Sequence, residues 1–362
     1  TFLSAGNGAN VSFDSGALLS VEVTAEVGKE LSDNGRVSES GAAIYNTGSI
    51  ERKKSGESNE IYINADVASD IFSSAVNNTG TIEAYALVAV DGSISLVGSG
   101  AAIVNTGTLS AKNGASISIG ADEFIIGSQG VVKSNTLTPR DAGFIGVKAE
   151  TLDVSGASSD YNDFDLLVND VSESEANKLN INITGSSSAM EVTGLSTVVA
   201  NGATINGTNA VGETFTVAST NAVGVNGIDF TGVATVVAGT ATDIIDIVNT
   251  GVAGAQLNGA NNELVASGIT FEEVEKAALA NGTLTGTSDD DVFNITAANE
   301  VTAKYIGFTG VASVDAGDGT ADEITSDITV AATLTGTNSL NGAGIDFSNI
   351  EKAGLNSGSL TG

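Results

Sequence analysis

Ala43-Ile44-Tyr45-Asn46-Thr47-Gly48-Ser49-Ile50 is a phrase that the first third of the chain uses three times. It returns as Ala75-Val76-Asn77-Asn78-Thr79-Gly80-Thr81-Ile82, and as Ala102-Ile103-Val104-Asn105-Thr106-Gly107-Thr108-Leu109. The Asn residues are 32 and 27 residues apart, plausible lengths for one coil of a solenoid with variable loops. Val76, Asn78, Gly80 and Ile82 share one parity and therefore one face of a strand. If coils stack about 4.8 Å apart, Asn46, Asn78 and Asn105 form a ladder in which each amide donates to one neighbour and accepts from the other. Ile50, Ile82 and Leu109 make the aliphatic stack beside it, and the Gly allows a tight corner with φ above zero. The competing reading is ordinary Asn-containing turns; the parity, kept in every copy, favours the ladder.

A second repeat fills the C-terminal half. Its marker is Gly227-Ile228-Asp229-Phe230-Thr231-Gly232-Val233, then Gly268-Ile269-Thr270-Phe271-Glu272-Glu273-Val274, Tyr305-Ile306-Gly307-Phe308-Thr309-Gly310-Val311 and Gly344-Ile345-Asp346-Phe347-Ser348-Asn349-Ile350. The Phe residues are 41, 37 and 39 residues apart. A unit of about 39 residues most simply makes two coils of about 19 each, so that Phe230, Phe271, Phe308 and Phe347 line the core at every second coil. The stretch Phe271–Leu279 has some helical character, but its alignment with the other markers predicts that coil geometry overrides it. Residues 134–185 fit neither repeat. They hold the only Pro (Pro139), Arg140-Asp141 and a run of acids at Asp160, Asp163, Asp165 and Asp170. The expected organisation is an all-β chain: a β-solenoid over 1–133, an irregular junction over 134–185 with a loop or short helix near 171–178, and a solenoid of about 39-residue repeats over 186–362.

Composition agrees. Apolar residues are 41% of the 362, too many for a disordered polar tract, and they are mostly small or β-branched. With 13 basic and 44 acidic residues, the net charge of −31 repels nucleic acid and anionic lipid. No apolar run is long enough to span a membrane, and no basic-then-apolar leader opens the chain. The absence of Cys excludes disulfide frameworks and thiolate metal sites.

Phe13-Asp14-Ser15-Gly16-Ala17-Leu18-Leu19-Ser20-Val21-Glu22-Val23, followed by Ile71-Phe72-Ser73-Ser74-Ala75-Val76-Asn77-Asn78-Thr79-Gly80-Thr81-Ile82-Glu83-Ala84, resembles the filamentous-haemagglutinin family, the long exoproteins of two-partner secretion. The resemblance covers about residues 8–130; the C-terminal repeats look like those of other large bacterial adhesins, by composition only. It implies a right-handed parallel β-helix, export through an outer-membrane pore partner, and a role in adhesion or matrix building. The family's Asn-Pro-Asn-Gly motif is missing, since the only Pro is Pro139, and the chain is far shorter than a typical member. The expectation is either a start processed after export or a shorter relative, such as a filament subunit.

With no His and no Cys, the chain lacks the residues for His-based triads, thiol nucleophiles and zinc sites. Carboxylate chemistry remains, with Asp160, Asp163 and Asp165 near Arg140 and Lys148 as the best cluster for a β-helix polysaccharide lyase. Among 44 acids chance clusters are inevitable, and sugar-cleaving clefts want aromatic platforms that a chain without Trp lacks. The reading is therefore not an enzyme. Gly98-Ser99-Gly100 is no phosphate loop, for no Gly-Lys-Ser/Thr follows. No cofactor is required; calcium is the candidate ion. Ala316-Gly317-Asp318-Gly319-Thr320-Ala321-Asp322-Glu323-Ile324 is close to the calcium-binding nonapeptide pattern, and Gly286-Thr287-Ser288-Asp289-Asp290-Asp291-Val292-Phe293 is similar. These name Asp318, Asp322, Asp289 and Asp291 as hard oxygen ligands, against solvated acidic turns as the default. The expected function is a secreted structural protein of the bacterial surface or extracellular matrix, self-associating head to tail as a homopolymer. The alternative is an adhesin module that binds a host receptor, or a host or matrix glycan, through residues 134–185.

Overall fold

Alternation of inward and outward residues makes strands with one dry face, and Gly92–Ser99 shows it in burial, with Ile94 and Leu96 fully enclosed. The computed structural model describes residues 2–5, 8–13, 19–25, 41–52, 59–67, 72–85, 92–135, 144–158, 161–166, 179–181, 190–209, 211–247, 254–356 and 358–362. Among these residues there is no α-helix; they form a β-solenoid of about eight turns with parallel stacked coils. Two compact units divide the chain, residues 1–201 and 202–362.

In the first unit each coil contributes strands to three rows. The first row stacks Ala42–Asn46, Ser74–Asn78, Ala102–Asn105, Glu123–Ile126, Thr151–Asp153 and the start of Thr197–Asn206, all parallel. The second stacks Ser49–Arg52, Thr81–Tyr85, Thr108–Lys112 and Val131–Asn135. The third stacks Asn59–Asp66, Gly92–Ser99, Ser116–Gly120, Ile145–Lys148 and Met190–Thr193, and Phe2–Ala5 adds to its front in parallel. Register places Ile44, Val76, Ile103, Phe124, Leu152 and Val198 above one another, and all but Ile44 are buried. The core is therefore a set of columns, each made of one side-chain position repeated coil after coil.

The expected junction over 134–185 is in part regular. Ile145–Lys148 and Thr151–Asp153 continue the third and first rows, so the solenoid extends past residue 133. The departure comes later, where Asp163–Leu166 and Leu179–Ile181 pair antiparallel with each other and Leu179–Ile181 pairs antiparallel with Met190–Thr193. Tyr161 and Phe164 are buried beside this excursion. Residues 171–178, Pro139, Arg140, Asp141, Asp160 and Asp170 lie outside the described residues.

In the second unit every repeat of about 39 residues opens with a three-stranded antiparallel meander. Thr214–Ser219, Ala222–Val225 and Ile228–Val237 form the first; Gly254–Leu257, Leu264–Ala266 and Ile269–Glu272 the second; Val292–Ala297, Glu300–Ala303 and Ile306–Asp315 the third; Ala331–Gly336, Ser339–Gly342 and Ile345–Ser348 the fourth. Parallel pairing then joins coil to coil, as where Phe215, Ile245, Ala277 and Phe308 stand in one column. The stretch with helical character is extended, split between Ile269–Glu272 and Lys276–Thr285.

The register corrects the expected coil length. Phe293 pairs with Ile324 and Ile324 with Ala353, so one coil takes about thirty residues rather than about 19. The sequence repeat is longer than the coil. Each Phe marker therefore lands on a different column from the one before it, and parallel pairing sets Phe271 beside Val236, Phe308 beside Ala277 and Phe347 beside Val314.

Candidate functional site: stacking columns and an acidic groove

The repeated Asn residues meet in one hydrogen-bonded column. Asn46 Nδ2 donates to Asn78 Oδ1 at 2.8 Å, and Asn78 Nδ2 donates to Asn105 Oδ1 at 2.8 Å. Asn78 and Asn105 are fully enclosed, where an unpaired amide is costly. Below Asn105 the register position is Ile126, and Asn105 Nδ2 turns to the Val131 carbonyl at 3.3 Å. The Gly two residues after each Asn has a different role from the one expected. Gly48, Gly80 and Gly107 do not have positive φ; Gly80 and Gly107 let successive coils touch. A Cβ on Gly80 would sit 2.1 Å from the Gly48 carbonyl oxygen, and a Cβ on Gly107 2.1 Å from that of Gly80.

Phe230, Phe271, Phe308 and Phe347 are all enclosed. Within its own meander each faces an aliphatic partner: Val223, Leu264, Val301 and Leu340 respectively. A second set of Asn residues, unread in the sequence, links one meander to the next. Asn221, Asn262, Asn299 and Asn338 all hold positive φ at the first hairpin tip of each repeat. Their carbonyls accept from the N–H of Val233, Val274, Val311 and Ile350. The first three donate their own N–H to the carbonyls of Ser267, Lys304 and Ala343 in the following repeat. Their spacing repeats that of the Phe markers, a signal that was present in the sequence.

Acids form two further columns in the second unit. Glu213 N–H donates to Asp243 Oδ1 at 2.7 Å and Asp243 N–H to Glu275 Oε2 at 3.0 Å. Likewise Asp291 N–H donates to Asp322 Oδ1 at 2.7 Å and Asp322 N–H to Glu351 Oε2 at 2.9 Å. Each acid stands just before a strand and caps the backbone of the coil before it. Glu213 and Asp291 take a further hydroxyl each, from Thr208 at 2.6 Å and Thr287 at 2.9 Å. Lys304 Nζ lies 3.1 Å from Asp291 Oδ1 without hydrogen-bond alignment, so its contribution is charge. Burial, followed by the charges of Glu351, Asp291 and Asp290, pushes Asp322 up against the pull of its bond from Asp291 N–H. In the first unit Lys112 bridges to Glu83 at 2.5 Å and to Tyr85 OH at 3.2 Å. Burial raises the Glu83 carboxyl, but the bonds from Lys112 and Tyr85 outweigh it and hold the group below its ordinary range.

The four calcium candidates separate into two pairs. Asp291 and Asp322 are the buried column just described. Asp289 and Asp318 are exposed and line a groove of about 540 Å³ together with Asp315, Asn258 and Asn349. Asp315 Oδ1 there accepts from Asn349 Nδ2 at 2.7 Å. Among the described residues no three acids are grouped to hold a metal ion. Of the lyase candidates, Asp163 is exposed, Asp165 half-buried and Lys148 exposed at the end of its strand, while Asp160 and Arg140 lie outside the described residues. Comparison with known proteins found no matching family model, no matching curated protein and no matching solved structure.

Proposed function

We propose that this chain is a structural protein of a bacterial surface or extracellular matrix, an adhesin rod or filament subunit that adds copies of itself head to tail. The observation that carries this reading is the use of its polar side chains. The buried Asn and acidic residues are spent on holding coil to coil. Among the described residues, Ser49–Arg52 and Val131–Asn135 are the edge strands of the four-stranded row, and backbone groups at such edges template further pairing. The sequence resemblance over residues 8–130 supports export through an outer-membrane pore and an extracellular location. Negative-stain electron microscopy and sedimentation of the purified chain test the proposal. Rods or fibres that lengthen with concentration are expected; dispersed monomers at every concentration would overturn it.

A second reading, a glycan-binding adhesin module, is favoured by the groove. Gln256, Asn258, Asp289, Asp315, Asp318 and Asn349 line it with donors and acceptors suited to sugar hydroxyls. Binding to immobilised glycans that is lost in Asp318→Ala, with the fold intact, would select this reading over the first.

A further inference from the structure

Asp243 stands in the middle of the column Glu213–Asp243–Glu275 and is fully enclosed. One carboxyl oxygen, Oδ1, is used by Glu213 N–H at 2.7 Å. The other, Oδ2, is buried and has no hydrogen-bond partner. Acids flank it from both neighbouring coils, Glu213 on one side and Glu275 on the other. Lys276, the nearest cation along the chain, is exposed and stands in register with Ile244; among the described residues no cation pairs with Asp243. The second acid column carries a cation on its first member, Lys304 beside Asp291, while its middle member, Asp322, shares with Asp243 a buried Oδ2 that no donor reaches. A dry carboxylate oxygen between two acids, with no donor, is costly as an anion and comfortable as a neutral acid.

We propose that Asp243 is a proton-binding site, and that taking up a proton as the medium acidifies mildly firms the coils of residues 202–362. Protonation puts hydrogen on the one oxygen that lacks a partner and removes the repulsion from Glu213 and Glu275. It leaves Oδ1 free to keep its bond from Glu213 N–H.

The electrostatics agree in direction. Burial first, then the charges of Glu213 and Glu275, raise the Asp243 pKa from 3.8 to about 6, against the opposing pull of the Glu213 N–H bond. The folded chain then holds this proton more tightly than the unfolded chain. The contribution is fully present below 3.8 and is lost as pH rises through about 6. Between pH 7.5 and 5 the folding equilibrium gains at most about tenfold from this one group, less whatever solvent screening removes. The inference is independent of the filament reading.

The test compares equilibrium unfolding of the full chain and of Asp243→Asn at pH 7.5 and pH 5. Asn keeps the acceptor for Glu213 N–H and has no charge to lose. The expected result is that the parent chain gains stability on acidification, and that Asp243→Asn is more stable at pH 7.5 and shows a gain smaller by up to tenfold. An equal gain in both chains would place the effect in Asp322, whose carboxyl is also raised, or in the general relief of a −31 net charge, and overturn the proposal. Should the variant not fold, carbon-13 NMR of the parent chain decides: an Asp243 carboxyl titrating near 6 is expected, and one titrating in the ordinary range below 5 sinks the idea.

Discussion

Asn78 receives one amide hydrogen bond and gives another, so it belongs to three coils at once. Replacing it with Ala leaves the Oδ1 of Asn105 without its donor in a dry column, and leaves the Nδ2 of Asn46 only the Gly48 carbonyl at 3.4 Å. Asn78→Ala is expected to cost about 2–3 kcal/mol, the penalty for buried polar groups left without partners, read as a lower urea midpoint for the first unit. This column was legible because its signal is local. The phrase around each Asn keeps its parity, and parity alone assigns the face. The role of the Gly beside it is not legible, for a physical reason. A sequence shows that Gly is needed; it does not say whether φ or the approach of a neighbouring coil requires it, and here the 2.1 Å approach does.

Each meander of the second unit turns its second hairpin through two residues of positive φ, the geometry that suits the twist of paired strands. The pairs are Asn226-Gly227, Ser267-Gly268, Lys304-Tyr305 and Ala343-Gly344. Gly is at ease in this conformation; Tyr305, with φ of 66° and an exposed ring, is strained. Tyr305→Gly is therefore expected to leave the hairpin intact and raise stability by roughly 0.5–1 kcal/mol, measured by chemical denaturation. Lys304 would keep its reach to Asp291. The markers Gly227, Gly268 and Gly344 were visible as a repeat, yet the antiparallel meander around them was not, because Gly before an apolar residue also fits a solenoid corner. The Asn tips at 221, 262, 299 and 338 do not stand out in the sequence for a related reason: the chain is rich in Asn, and only the hydrogen bonds their backbones make distinguish these four.

At the scale of the whole molecule, charge opposes the association that open strand edges favour. A net charge of −31 repels a second copy, and the repulsion reaches about 30 Å at 0.01 M salt but only about 3 Å at 1 M. Self-association is expected to be weak at low ionic strength and to strengthen as salt is added, measured by sedimentation or light scattering at fixed protein concentration. The sequence changes its repeat type between the halves, and the chain forms two compact units, residues 1–201 and 202–362. The boundary itself was not legible, because the coil through Ile145–Lys148 and Thr151–Asp153 carries no copy of the Asn phrase and is recognised only by what it stacks upon.

By itself the sequence determined that the chain is all-β, that coils stack in parallel and that like positions recur along them, since alternation and repetition are local properties written in residue order. The tertiary structure decided how the repeats map onto the coils. A sequence period of about 39 residues runs over coils of about thirty, so Phe markers that recur in the chain fall on different columns in space. Strand pairing, set by backbone hydrogen bonds between distant residues, chooses the register, and it is the register that brings Asp243 between two other acids.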